Sequence, residues 1–106
     1  MSERMTAAGT ESNLVTACRE FVNTWAPHAF LEVICQLGGK NSGTSRGAPD
    51  AFLYVSGRCL PIEFKSQTGR LSNWQETAQR ERAKAGVETY VVRDLQTFVE
   101  LVQGRI

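Results

Sequence analysis

The chain holds one histidine, three prolines and three cysteines in 106 residues. The lone histidine, His28, excludes a histidine-based triad and a histidine-rich zinc site; next to Pro27 it reads as a surface turn residue. Cys18, Cys35 and Cys59 are odd in number, far apart and without metal-site spacing. They predict neither a disulfide framework nor a zinc cluster, but buried free thiols in a reducing compartment. No apolar run approaches the ~20 residues of a membrane span, and the N-terminus lacks the pattern of a signal peptide. The expectation is a cytoplasmic protein that meets no membrane. A P-loop is excluded too, because the Gly-x-x-x-x-Gly-Lys-Ser/Thr order is missing. With a net charge of +1, there is no global basic field.

What is present is ordinary in bulk and uneven in detail. A content of 42% hydrophobic and 22% charged residues fits one globular domain with a modest core. Residues 1–9 read as a loose polar tail and 10–106 as a single domain without repeats. Between Lys40 and Arg70 five cations stand against two anions, Asp50 and Glu63.

Those two anions organise the chain. Residues 51–55 (Ala-Phe-Leu-Tyr-Val) and 59–65 (Cys-Leu-Pro-Ile-Glu-Phe-Lys) read as strands, with Ser56-Gly57 between them. Glycine takes the positive φ that a tight hairpin needs. A two-residue turn pairs Val55 with Arg58, so paired numbers sum to 113 and Asp50 falls opposite Glu63. Cross-strand Cβ atoms are about 5 Å apart, within reach of one small ion. Alternation puts Lys65 on the same face, with Leu60, Ile62 and Phe64 on the other. An odd loop would shift the register and turn Asp50 to the wrong face. Like charges facing each other destabilise a sheet. Either both carboxylates sit at a solvated edge, or they hold a hard cation such as Mg²⁺ or Mn²⁺.

The remaining elements surround this hairpin. Thr10 is a candidate N-cap; Leu14, Val15, Cys18, Phe21, Val22 and Trp25 then recur at helical spacing up to Pro27. Glu11 lies at the end of that stripe, where it either complements the helix dipole or reaches the carboxylate pair. A first strand is expected over 29–37. The loop from Gly38 to Gly47 is flexible and carries Lys40 and Arg46, which suit phosphate contacts or plain solvation. Ser72-Asn73-Trp74-Gln75 fits a capping box that opens a helix ending near Ala85 and Gly86. Trp74, Ala78 and Ala85 give it a sparse apolar face, and the alanines suit close packing on a sheet; Gln75, Gln79 and Arg82 share another face. Capping alone explains Gln75. A fourth strand, 88–92, pairs parallel with the third, and a helix over 95–102 closes the fold. The class is α/β: a four-stranded mixed sheet flanked by helices, in the order α-β-β-β-α-β-α.

Taken together, Arg46-Gly47-Ala48-Pro49-Asp50, Ile62-Glu63-Phe64-Lys65, Gly69-Arg70-Leu71-Ser72 with Gln75, and Gly86 leading into Tyr90-Val91-Val92 resemble the PD-(D/E)xK nuclease superfamily. Within it the chain resembles the VRR-NUC family, in the short stand-alone form common in phages and bacteria. Glu11-Ser12-Asn13-Leu14 fits the glutamate that opens that family's first helix. The resemblance spans residues 10–102. It implies a restriction-endonuclease-like core and a Mg²⁺- or Mn²⁺-dependent endodeoxyribonuclease. Asp50, Glu63 and the Phe64 carbonyl would be metal ligands, with Glu11 a further acidic member. Lys65 would act on the attacking water, and Gln75 would support the site. Lys40, Arg46, Arg70, Gln79 and Arg82 are the candidate nucleic-acid contacts. The implied substrate is branched DNA such as a Holliday junction, cut by a homodimer. The alternatives are a less selective flap or nicking nuclease, and a catalytically silent DNA-binding or partner-docking module.

Overall fold

The structure, a computed structural model, describes residues 11–34 and 47–104. Thr10, Cys35, Lys40, Arg46 and the tail expected over 1–9 lie outside the described residues, and so does the side chain of Glu11. Helix α1 is Glu11–Trp25, followed by strands β1 (Phe30–Val33), β2 (Ala51–Val55) and β3 (Arg58–Phe64). Helix α2 (Asn73–Lys84), strand β4 (Tyr90–Val92) and helix α3 (Leu95–Val102) complete the chain. This is the expected order, and the sheet is mixed, β1-β2-β3-β4. Strands β1 to β3 are antiparallel neighbours, and β4 joins β3 in parallel. The parallel pair follows from the crossover through α2, since a strand reached by way of a helix returns in the same direction.

The hairpin turn has two residues, both left-handed: φ is 54° at Ser56 and 75° at Gly57. Two successive positive φ angles make the turn whose twist matches the flanking strands. The serine is the unexpected member, since only glycine adopts this region without steric cost. Pairing runs from Ala51 opposite Ile62 to Val55 opposite Arg58, the register counted from the sequence.

One face of the sheet carries the core. Leu14, Val15, Cys18 and Val22 of α1 and Phe98, Leu101 and Val102 of α3 are buried against Leu31, Leu53, Leu60, Ile62, Phe64 and Val92. Phe21 meets Phe98 edge to face, with ring centroids 6.4 Å apart. Each side chain buried this fully contributes about 1.5–3 kcal/mol. Asp94 caps α3 by accepting from the Thr97 N–H at 2.8 Å. Burial pushes the Cys18 thiol up to about 12, with the Asp94 charge adding to the effect. Cys59, expected to be buried, is exposed. It faces away from the core at the hairpin end of β3, where no described helix covers the sheet.

The opposite face is covered differently. Helix α2 contributes no buried residue. Trp74 and Ala85 are exposed, so the expected apolar packing face is not buried; Ala78 is half-buried and lies against Gly47, as does the Trp74 backbone. A sequence with four cationic or anionic residues between Glu76 and Arg82 has too little apolar surface to pack by hydrophobic contact. The helix is instead held by hydrogen bonds and charge, and those bonds lead to the carboxylate pair.

Candidate active site

Asp50 is fixed by its backbone on both sides. Its N–H donates to the Ile62 carbonyl at 3.0 Å, and its own carbonyl accepts from the Ile34 N–H at 2.8 Å. The counted register ends at Ala51 opposite Ile62, and the Asp50 N–H reaches that same Ile62, so Asp50 leaves the ladder one residue before the strand instead of pairing squarely with Glu63. Its Oδ2 also accepts from the Phe64 N–H at 2.8 Å. That bond aims the carboxylate at the third strand. Asp50 is 8% exposed and Glu63 0%. The solvated-edge alternative is therefore overturned: from Leu60 onward β3 is buried on both faces, Pro61 and Glu63 included.

A fully buried glutamate needs partners, because taking a charge out of water costs several kcal/mol. Helix α2 supplies them. Gln75 Nε2 donates to Glu63 Oε1 at 3.2 Å, and Arg82 Nη2 lies 3.9 Å from Glu63 Oε2. Gln75 does two jobs. Its Oε1 accepts from the Ser72 N–H at 2.8 Å, while the Ser72 hydroxyl accepts from the Gln75 N–H at 3.1 Å. The capping box thus holds the amide that bonds Glu63. Converting Gln75 to glutamate keeps an acceptor for Ser72 but sets a second carboxylate against Glu63. Q75E should lose roughly 1–3 kcal/mol at neutral pH in a thermal melt. The loss should shrink as falling pH protonates one carboxyl; an equal loss at every pH would count against this contact.

Arg82 was a candidate nucleic-acid contact. The structure turns it inward: Nε donates to Thr89 Oγ1 at 2.7 Å and Nη1 to the Gly47 carbonyl at 3.3 Å. It ties α2, the segment before Asp50 and the approach to β4 to the back of Glu63. Gln79 is half-buried on the same helix, and its Nε2 is closed off from solvent. Arg70 is exposed. Gly47 permits the close approach of α2. Its φ is +81°, and a Cβ there would stand 2.5 Å from the Trp74 carbonyl oxygen and 2.8 Å from the Ala78 Cβ.

Lys65 follows Glu63 by two residues, so alternation gives it the same face. It is half-buried, its N–H donates to the Val92 carbonyl at 3.0 Å, and Gly69 lies close to its stem. The segment after it is organised by a residue the sequence did not single out. Arg93 Nη1 donates to the Ser66 and Gly69 carbonyls at 2.8 and 2.7 Å. Gln67 Nε2 donates in return to the Arg93 carbonyl at 3.3 Å. A single arginine just after a strand carries no motif that would have announced this.

Among the described residues no three His, Cys, Asp or Glu side chains cluster as a metal site. The described donors are two carboxylates. That set still fits Mg²⁺, which keeps several waters and binds through one or two carboxylates plus substrate phosphate. The Phe64 carbonyl and Glu11 are the further candidate donors.

The same face continues past α2 to an open aromatic group. Phe30 and Tyr54 are cross-strand partners and stack with centroids 5.6 Å apart, and Phe52 lies 6.5 Å from Tyr54. The Tyr54 hydroxyl donates to Glu32 Oε1 at 2.7 Å, and that bond, with lesser contributions from its surroundings, raises its pKa from 10.0 to about 12. The folded value lies above the unfolded one. The bond's contribution is thus complete below pH 10 and lost as pH rises through about 12. In an ultraviolet absorbance titration Tyr54 should ionise near 12, and E32Q should bring it back toward the ordinary tyrosine range. A Tyr54 titration unmoved by E32Q would contradict the assigned cause.

No family model matches the chain, and no curated protein matches it in sequence. A solved structure described as "VRR_NUC domain" shares its fold: the TM-score is 0.65 over 92% of this chain and 99% of that one, at 16% identity. The protein has the fold of a VRR-NUC domain, with a four-stranded mixed sheet flanked by helices. No helix of the described residues is long and apolar enough to cross a membrane.

Proposed function

We propose that this protein is a Mg²⁺- or Mn²⁺-dependent DNA endonuclease that hydrolyses phosphodiester bonds, acts on branched DNA such as a Holliday junction, and works as a homodimer. The observation that carries this reading is the buried Asp50–Glu63 pair, with Lys65 two residues on, in the fold of a VRR-NUC domain. Burying two carboxylates costs stability; Gln75, Arg82 and the Phe64 N–H offset part of that cost, and a divalent cation would offset more.

Hydrolysis joins a water oxygen to phosphorus and breaks one P–O ester bond, and the displaced sugar oxygen leaves with a proton. A divalent ion held by Asp50, Glu63 and the Phe64 carbonyl, with Glu11 as a further acidic member, would neutralise the phosphate, acidify a bound water and stabilise the leaving oxygen. The protein's own groups set the geometry. The Phe64 N–H holds Asp50 in one orientation, and Gln75 and Arg82 hold Glu63. The Lys65 ammonium orients the attacking water and offsets the charge that grows on the phosphoryl oxygens. No covalent intermediate is needed, because water is the nucleophile in this reading; Cys59 lies at the hairpin end of the sheet, nine residues along the chain from Asp50. Lys40, Arg46 and the exposed Arg70 supply phosphate contacts.

The test is cleavage of labelled four-way junction, flap and plain duplex DNA with Mg²⁺ and with Mn²⁺. Metal-dependent cutting that favours the junction is expected. Preference for flaps, or none, would replace the junction with the broader nuclease reading. Binding without cutting under every condition would replace the enzyme with a binding module.

A further inference from the structure

Helix α2 covers only the part of its sheet face that holds Glu63. At the other end of that face Phe30 is 58% exposed and Tyr54 37%, with their rings stacked and Phe52 beside them. A concavity of about 480 Å³ opens there, bounded by Phe30, Tyr54, His28, Arg58 and the hairpin turn. Its lining includes one permanent cation, Arg58, and no carboxylate. Glu32 takes the Tyr54 hydroxyl from outside the concavity and orients the ring. Tyr54 stands four residues along β2 from Asp50, on the same face. At about 3.3 Å per residue that is roughly 13 Å, the length of about four stacked nucleotides and fewer of a stretched strand.

Exposed aromatic rings on a sheet face take unstacked bases, because every base presents a π-face, and a nearby arginine adds a phosphate contact. We propose that Phe30 and Tyr54, with Arg58, form a stacking site for an unpaired nucleobase of the DNA strand that passes Asp50 and Glu63. This deepens the nuclease reading and rests on it. It adds that the strand is unpaired beside the scissile bond when it is bound, as where the bases part at the opened centre of a branched substrate. The stacked, exposed rings favour a base over an acidic peptide, which would use the arginine alone, and the shared face ties the site to the carboxylate pair.

The experiment is equilibrium binding in EDTA, where no hydrolysis occurs. The probes are a fluorescein-labelled blunt duplex and the same duplex with a six-nucleotide single-stranded extension. The wild type should prefer the extended probe by about tenfold or more, the size of one or two base stacks. In F30L/Y54L the preference should vanish while affinity for the blunt duplex stays within about twofold. R58Q, at an exposed turn position, should weaken the extended probe several-fold and lower its salt slope by about 0.7. The site is overturned if wild type and F30L/Y54L prefer the extension equally, or if R58Q leaves its affinity and salt slope unchanged. It is also overturned if light scattering shows that F30L/Y54L converts a dimer to a monomer and both probes weaken together, which would make this face a self-association surface. The nuclease reading is judged separately, by wild-type cleavage with Mg²⁺: preference without cleavage would sink that reading and leave the stacking site standing.

Discussion

Asp50→Asn should lower cleavage by roughly 10²–10³-fold, the loss typical when one preorganised electrostatic group is removed from a reacting centre. It should cost little stability. Asparagine still offers an oxygen to the Phe64 N–H, which Asp50 now engages at 2.8 Å. Asp50→Ala removes charge and acceptor together. The Phe64 residue is fully buried, so its N–H loses a partner inside the protein, and such an orphan costs about 1–3 kcal/mol. The two variants therefore share an activity loss and differ in melting temperature. Thermal denaturation beside a cleavage assay reads both. Equal melting temperatures would mean that the Asp50–Phe64 bond does not hold the pair in place, and a D50N protein with wild-type rates would remove Asp50 from the chemistry.

Gly47→Ala is expected to be the most damaging single-methyl change near the site. A left-handed φ costs a non-glycine residue about 1–2 kcal/mol. The added Cβ would also stand 2.5 Å from the backbone oxygen of Trp74, which cannot move without shifting α2. The sum should be roughly 2–4 kcal/mol, with melting lowered by about 4–8 °C per kcal/mol. Gly57→Ala is the control. Its φ is +75°, but a Cβ there meets nothing within 4 Å, so only the backbone cost applies. A G47A protein should also cut more slowly, because displacing α2 withdraws Gln75 and Arg82 from Glu63. Equal effects of G47A and G57A on stability would contradict the close approach of α2.

The parts legible in the sequence share one property: they follow from local spacing. Ser56-Gly57 fixed a two-residue turn, and the turn set the register down to Ala51 opposite Ile62, at whose end Asp50 turns its N–H to the Ile62 carbonyl. Ser72 and Gln75 announced their capping box, and the apolar periodicity of α1 announced its buried face as far as Val22, whereas Trp25, the last member of that stripe, is exposed next to the turn at Pro27. The remainder depends on long polar side chains meeting across the fold. Nothing in the spacing of Arg82 shows whether it points to solvent or back to Glu63; it does the latter because Thr89 and the Gly47 carbonyl wait for it there. Glu63 is buried under a helix without an apolar stripe, so periodicity could not show its cover. The Phe30–Tyr54 stack escaped notice for a related reason. The β1–β2 register spans a long loop and cannot be counted from a turn.

Calorimetric titration of the protein with Mn²⁺ in the absence of DNA tests most directly whether the Asp50–Glu63 pair is a cation site. Saturable heat from the wild type, abolished in D50N while that variant keeps its fold, is the expected result. Identical heats from both proteins, or none from the wild type at millimolar Mn²⁺, would contradict it.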